Sequence, residues 1–137
     1  MKIDGSCYCG AVRFEAEASP EAAVICHCSD CQHFSGSAFR ISIGVSKESF
    51  RLLAGAPKTF IKTAASGSRR IQAFCADCGT ALYATAVEGN GTNFYNIRAG
   101  TVSQRSAFRP TKQIWFDSSV NWLKEIGTLD AWPGEIR

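Results

Sequence analysis

Hydrophobic residues recur at every second position in short stretches of this chain, the spacing that turns one face of a β-strand inward. Val12, Phe14, Ala16 and Ala18 alternate with Arg13, Glu15 and Glu17, and Phe39, Ile41, Ile43 and Val45 alternate with Arg40, Ser42 and Gly44. Phe50 with Leu52, Phe60, and Ile71 with Ala73 predict further strands, divided by turn residues at Gly55-Ala56-Pro57 and Ser66-Gly67-Ser68. Leu82 to Ala86 and Asn93 to Ala99 flank Glu88-Gly89-Asn90-Gly91, whose Asn-Gly step predicts a hairpin. Gln113 to Phe116 predicts a late strand. Ser119 to Ile126 predicts a short helix with Val120, Leu123 and Trp122 facing inward. Many short strands with at most one or two short helices describe an all-β, mainly antiparallel fold. No repeat or linker divides the chain, and 137 residues suit one domain, 1–137.

The nine Phe, three Trp and three Tyr fall mostly on the apolar side of these strands and read as core. Trp115 and Trp122 stay open as pocket-lining residues, because an indole joins an apolar face to one N–H donor. No run reaches the roughly 18 apolar residues of a membrane span, which predicts no membrane partner. The first six residues, Met1 to Ser6, lack a secretory apolar core, so the expected location is cytoplasmic.

Seven cysteines change the picture. They stand in close groups, Cys7/Cys9, Cys26/Cys28/Cys31 and Cys75/Cys78, and such clusters in a reducing compartment are more often metal ligands than disulfides. Cys7-Tyr8-Cys9-Gly10 and Cys75-Ala76-Asp77-Cys78-Gly79 look like halves of one site, each with a glycine where a tight knuckle needs one. Four thiolates complete a tetrahedral structural site, with zinc favoured over iron.

The remaining triplet, in Cys26-His27-Cys28-Ser29-Asp30-Cys31, offers three ligands and an open fourth position, the arrangement of a reactive zinc. A soft, thiolate-rich zinc suits a thiol substrate, whose pKa falls on coordination. Two alternatives stand beside this reading: a histidine, His33 rather than His27, closes the site, or the triplet supplies ligands to the first metal. His33 is also a candidate acid or base. Asp30 reads as a turn residue. Arg69-Arg70 is either a solvated strand edge or a carboxylate clamp.

The chain resembles the glutathione-dependent formaldehyde-activating enzyme family, whose relatives include centromere protein V. The resemblance rests on Gly5-Ser6-Cys7-Tyr8-Cys9-Gly10-Ala11-Val12-Arg13-Phe14, on Cys26 to Cys31 followed by Ser35-Gly36-Ser37, on Phe74-Cys75-Ala76-Asp77-Cys78-Gly79-Thr80, and on Pro110 to Trp122. It implies a β-tent-like zinc fold. It also implies a structural zinc on Cys7, Cys9, Cys75 and Cys78 and a second, more labile zinc on Cys26, Cys28 and Cys31. The implied reaction is that of a carbon–sulfur lyase joining glutathione and formaldehyde into S-hydroxymethylglutathione. Two features depart from the family. Gln32-His33 stand where basic residues often follow the triplet, which leaves Arg40, Arg69 or Arg70 to meet a glutathione carboxylate. The chain is also short beside the best-known members.

Two other classes compete with the lyase: a non-catalytic zinc interaction module and a thiol redox sensor. Arginines and lysines are spread along the chain without a basic stripe, which argues against nucleic acid. The formal charge of +3 assumes neutral thiols. Seven thiolates on two divalent ions bring the loaded chain to about zero, so the total charge predicts no anionic partner. Nothing in the pattern fixes an oligomeric state.

Overall fold

The computed structural model describes residues 1–89 and 92–136. Among them the strands are β1 (Lys2–Ser6), β2 (Arg13–Glu17), β3 (Ala23–Cys26), β4 (Arg40–Ser46), β5 (Arg51–Ala54), β6 (Lys58–Thr63), β7 (Arg69–Phe74), β8 (Ala81–Ala86), β9 (Phe94–Arg98) and β10 (Lys112–Ile114). The one α-helix among these residues, α1, spans Ser29–Ser35. The fold is all-β. β1, β2 and β5 form a three-stranded sheet, and a seven-stranded sheet runs β10-β3-β4-β9-β8-β7-β6. Every strand pair is antiparallel except β10 with β3, which is parallel.

Register decides what each face of the large sheet carries, because side chains directly opposite share a face. One row runs Ala23, Ile43, Ile97, Tyr83, Ala73 across β3, β4, β9, β8 and β7. Ala23, Ile43 and Ile97 in it are fully buried. That face packs on Ile3, Phe14 and Ala16 of the small sheet, and each fully buried isoleucine contributes about 1.5–3 kcal/mol. Phe50 sits between the layers, 5.7 Å from the ring of Phe14, 5.1 Å from Tyr83 and 4.7 Å from Tyr95. These aromatics are core, as expected. Tyr8, Phe60 and Phe94 are exposed instead.

The opposite face carries the neighbouring positions: Ser42 opposite Arg98, Gly44 opposite Asn96, Asn96 opposite Ala84, Ala84 opposite Gln72 and Arg70 opposite Lys62. It is polar, with small residues at its centre. The same alternation that fills the core therefore builds a polar trough behind it.

Three expectations need correction. The late strand covers Lys112–Ile114, not Gln113 to Phe116, because Trp115 turns into a left-handed conformation (φ 55°) and Phe116 starts a 3-10 turn. The helix expected over Ser119 to Ile126 is a 3-10 helix at Leu123–Thr128; Val120 and Leu123 are half-buried, but Trp122 faces outward. The α-helix instead begins inside the cysteine triplet, with Cys28 as its N-cap, and runs past Cys31 to Ser35. Strands β8 and β9 pair as the hairpin expectation requires, while its Asn90-Gly91 step lies outside the described residues.

Candidate metal centres and the cationic cleft

Two loops of like construction present the first cysteine group. The Cys7 amide donates to the Val12 carbonyl (3.0 Å) and the Gly10 amide to Cys7 (3.1 Å); the Cys75 amide donates to Thr80 (2.9 Å) and the Gly79 amide to Cys75 (2.9 Å). Gly10 and Gly79 sit at φ 82° and 77°, a left-handed turn that a side chain resists. The Tyr8 amide donates to Thr80 Oγ1 at 3.0 Å and stitches one knuckle to the other.

The sulfurs of Cys7, Cys9, Cys75 and Cys78 all lie within 4.8 Å of one another. Cys9 Sγ is 3.6 Å from Cys7 Sγ and 3.8 Å from Cys75 Sγ. A tetrahedral zinc with bonds of about 2.3 Å needs sulfurs roughly 3.8 Å apart, so the cluster fits that ion. The Val12 amide donates to Cys7 Sγ at 3.2 Å, a charge-dispersing bond typical around thiolate ligands. Without an ion the cluster cannot hold four negative charges. The Thr80 hydroxyl, then neighbouring amides, pull the Cys78 thiol down to about 5. The Ala11 amide favours the Cys9 thiolate, but the adjacent sulfurs, Cys7 first, outweigh it and push that thiol up to about 12. A divalent cation removes this conflict.

The second group closes over one short segment. Cys26 ends β3, and Cys28 caps α1, its sulfur accepting from the Cys31 amide at 3.3 Å. The helix stops at Gly36, in the left-handed conformation, whose amide donates to the Gln32 and His33 carbonyls. Cys26, Cys28 and Cys31 thereby bring their sulfurs within 4.8 Å of one another. Burial pushes the Cys26 thiol up to about 12. Burial also opposes ionisation of Cys28, yet the Cys31 amide and the neighbouring thiols bring it below its ordinary value.

Neither histidine joins these sulfurs. His27 is fully buried, between the rings of Phe39 and Phe116, with Nε2 2.8 Å from Gln113 Oε1. His33 lies two residues beyond Cys31, about 200° round the helix. Its Nδ1 meets the Ser29 carbonyl at 2.9 Å, and it borders a shallow surface groove with Gln32, Gly36 and Ser37. Asp30 is a helix residue rather than a turn, and its carboxylate holds Lys62 of β6 at 2.8 Å.

The triplet opens into a cleft of about 610 Å³ over the polar face of the large sheet. Arg40, Lys62, Arg70, Arg98 and Lys112 line it together with Gln72, Asn96 and Trp115. Arg40 is buried and donates from Nη2 to Cys31 Sγ at 3.1 Å. Arg98 donates to Ser42 Oγ and to Gln72 Oε1, both at 2.9 Å, bridging β4 to β7 over the small Ala84. Both arginines also border a second groove, of about 800 Å³, beside Cys7 and Tyr8. Of the two candidate clamp residues, Arg70 reaches the cleft; Arg69 turns away and pairs with Glu88 at 3.1 and 3.2 Å. Of the two tryptophans held open, Trp115 lines the cleft and Trp122 does not. Sequence reasoning missed Lys62, Arg98 and Lys112. Their signal was parity: each is a polar residue on a strand, in phase with its outward-facing positions.

Comparison with known proteins agrees with this geometry. The sequence pattern of the family described as glutathione-dependent formaldehyde-activating enzyme matches residues 2–118, which include all seven cysteines. The chain belongs to this family. The crystal structure of a Rhodobacter sphaeroides protein, a structural-genomics target, superposes with a TM-score of 0.61 at 20% identity, covering 80% of this chain and 98% of its own. That likeness speaks for the fold alone. No curated protein matches the chain in sequence. Among the described residues no helix is long and apolar enough to cross a membrane.

Proposed function

We propose that this member of the formaldehyde-activating family is a zinc-dependent carbon–sulfur lyase acting on a thiol adduct, with glutathione and formaldehyde or a related aldehyde as substrates. In this reading residues 1–137 act as one cytoplasmic domain. Cys7, Cys9, Cys75 and Cys78 hold a structural zinc, and Cys26, Cys28 and Cys31 hold a second, labile one. The observation that carries it is the contrast in setting: four sulfurs complete a tetrahedron at the knuckles, while three sulfurs face a cleft large enough for a small ligand.

Zinc in the second position supplies a Lewis acid that makes a thiol nucleophilic at neutral pH. The protein's own groups do the rest. Arg40 donates to Cys31 Sγ and disperses the negative charge of the triplet. The cations lining the cleft hold the carboxylates of the thiol, and Trp115 lines the same cleft. Sulfur adds its electron pair to the aldehyde carbon, the carbonyl π pair moves to oxygen, and that oxygen takes a proton. No carboxylate or histidine lines the cleft among the described residues, so water supplies the proton, and His33 takes no part.

The test is turnover of a glutathione–formaldehyde adduct by the zinc-loaded protein and by Cys28→Ser. A large loss in the variant supports the reading. Equal rates remove the triplet from the mechanism.

A further inference from the structure

The sheet face that carries the cleft is polar over only part of its length. Phe60 stands opposite Gln72, and Phe74 opposite Lys58, so both phenylalanines share the face of Lys62 and Arg70. Phe34, in the last turn of α1, adds a third ring, its centroid 6.3 Å from that of Phe60. Phe34, Phe60 and Phe74 line a pocket of about 180 Å³ that shares Arg40, Gln72 and Arg98 with the cleft at the triplet. Every other residue around it is apolar or glycine. Apolar walls with a few placed polar groups are the usual make-up of a small-molecule site.

The contact of Phe34 with Phe60 also pins α1 to β6, beside the Asp30–Lys62 pair. A purely structural strut would gain by burying both rings. Yet Phe34 is 38% and Phe60 55% exposed, and an apolar hollow stays open beside them. An apolar cavity of about 150 Å³ holds a benzene molecule, so this one has room for a ring or a short alkyl chain. Arg40 fixes its place relative to the sulfurs. Its Nη2 donates to Cys31 Sγ at 3.1 Å, and its guanidinium carbon lies 5.9 Å from the centroid of Phe34.

We infer that the pocket receives the apolar substituent of the aldehyde, which makes aromatic and medium-chain aliphatic aldehydes the preferred carbonyl substrates. The inference rests on the lyase reading above and names the aldehyde class of that same site. The bonds exchanged are the same for every aldehyde: the C–S bond forms, the carbonyl π bond breaks, the thiol loses its proton and the oxygen gains one. The adduct carbon then carries two arms. The charged chain of the thiol meets the cations of the cleft, and the substituent meets the aromatic wall next to Arg40. Formaldehyde has no such arm and leaves the pocket empty.

Straight-chain aldehydes from propanal to hexanal test this with glutathione and the zinc-loaded protein, because carbonyl reactivity barely changes along the series. Each added methylene should raise kcat/KM about two- to fourfold. The rise should flatten in Phe60→Ala, at an exposed position on an edge strand, and in Phe34→Ala. Benzyl alcohol, which forms no adduct, should shift the ring resonances of Phe34 and Phe60 in NMR spectra. A flat series with formaldehyde still turned over overturns the inference and leaves the lyase reading standing. So does a rise that survives in both variants, or benzyl alcohol that shifts neither ring. Turnover of no aldehyde, formaldehyde included, overturns the lyase reading and the inference with it.

Discussion

The two cysteine clusters use the same ligand atom and differ in how much chain they tie together. Cys9 and Cys75 are 66 residues apart, and their cluster joins the end of β1 to the end of β7. It therefore fastens the small sheet to the large one. The triplet spans six residues, and its three sulfurs come from one short segment. That segment's ties to the rest of the fold, among them Arg40 to Cys31, His27 to Gln113 and Asp30 to Lys62, join one sulfur or none to its neighbours rather than closing a long loop through the cluster. Closing a long loop removes entropy that a local cluster never has to remove. The closed group thus stands where stability is at stake. The triplet stands where its loss costs little and where its three sulfurs line a cleft. On the proposed reading, identical sulfur chemistry takes a structural or a reactive role according to topology.

The largest expected effect comes from breaking the long-range cluster. Structural zinc in small domains binds with about 10–16 kcal/mol of apparent free energy, as much as or more than the 5–15 kcal/mol that holds a typical domain folded. Cys75→Ser should therefore abolish a cooperative thermal transition followed by circular dichroism. A midpoint within a few degrees of the parent would end the comparison.

His27→Ala comes next. The ring is fully buried between two phenylalanines, so its removal leaves a cavity and should cost about 2–4 kcal/mol. Elemental analysis should still find two metals per chain; loss of one would make His27 a ligand after all.

Cys28→Ser should lose one metal and move the melting midpoint by only a few degrees. Serine keeps a good N-cap for α1, so the helix survives the lost ligand. A collapse as complete as that of Cys75→Ser would mean that the triplet is structural too.

The sequence made the two clusters legible because cysteine spacing is local, and knuckle glycines mark their own turns. It made Ile43 and Ile97 legible as core because alternation is local as well. Lys62 and Arg98 were not, since only the pairing of the large sheet brings β6 and β9 to one cleft, and register between distant strands is written nowhere in the alternation. Helix α1 escaped for a different reason: its N-cap is a cysteine and its seven residues are too few for a periodic apolar face. Charge misled in an instructive way. A total charge that falls to about zero on the proposed metal loading hides five cations gathered along one cleft, a local field that no sum over the chain reports.

The smallest effect concerns two adjacent residues that the sequence could not tell apart. Arg69 and Arg70 point to opposite sides of β7, and only Arg70 faces the cleft. Hydrogen bonding to Arg69, and then its charge, hold the Glu88 carboxyl below its ordinary value. A depressed acid lends stability above its unfolded pKa and loses it as pH falls through the folded one. That pair is exposed, so Arg69→Ala should leave the melting midpoint unchanged at neutral pH. The carboxyl resonance of Glu88, followed by NMR, should titrate at higher pH in the variant, while glutathione binding to the zinc-loaded protein stays at the parental value. A binding loss in Arg69→Ala equal to that in Arg70→Met would mean that diffuse surface charge, rather than the cleft, attracts the anion, and raising the salt concentration would then weaken parent and variant alike.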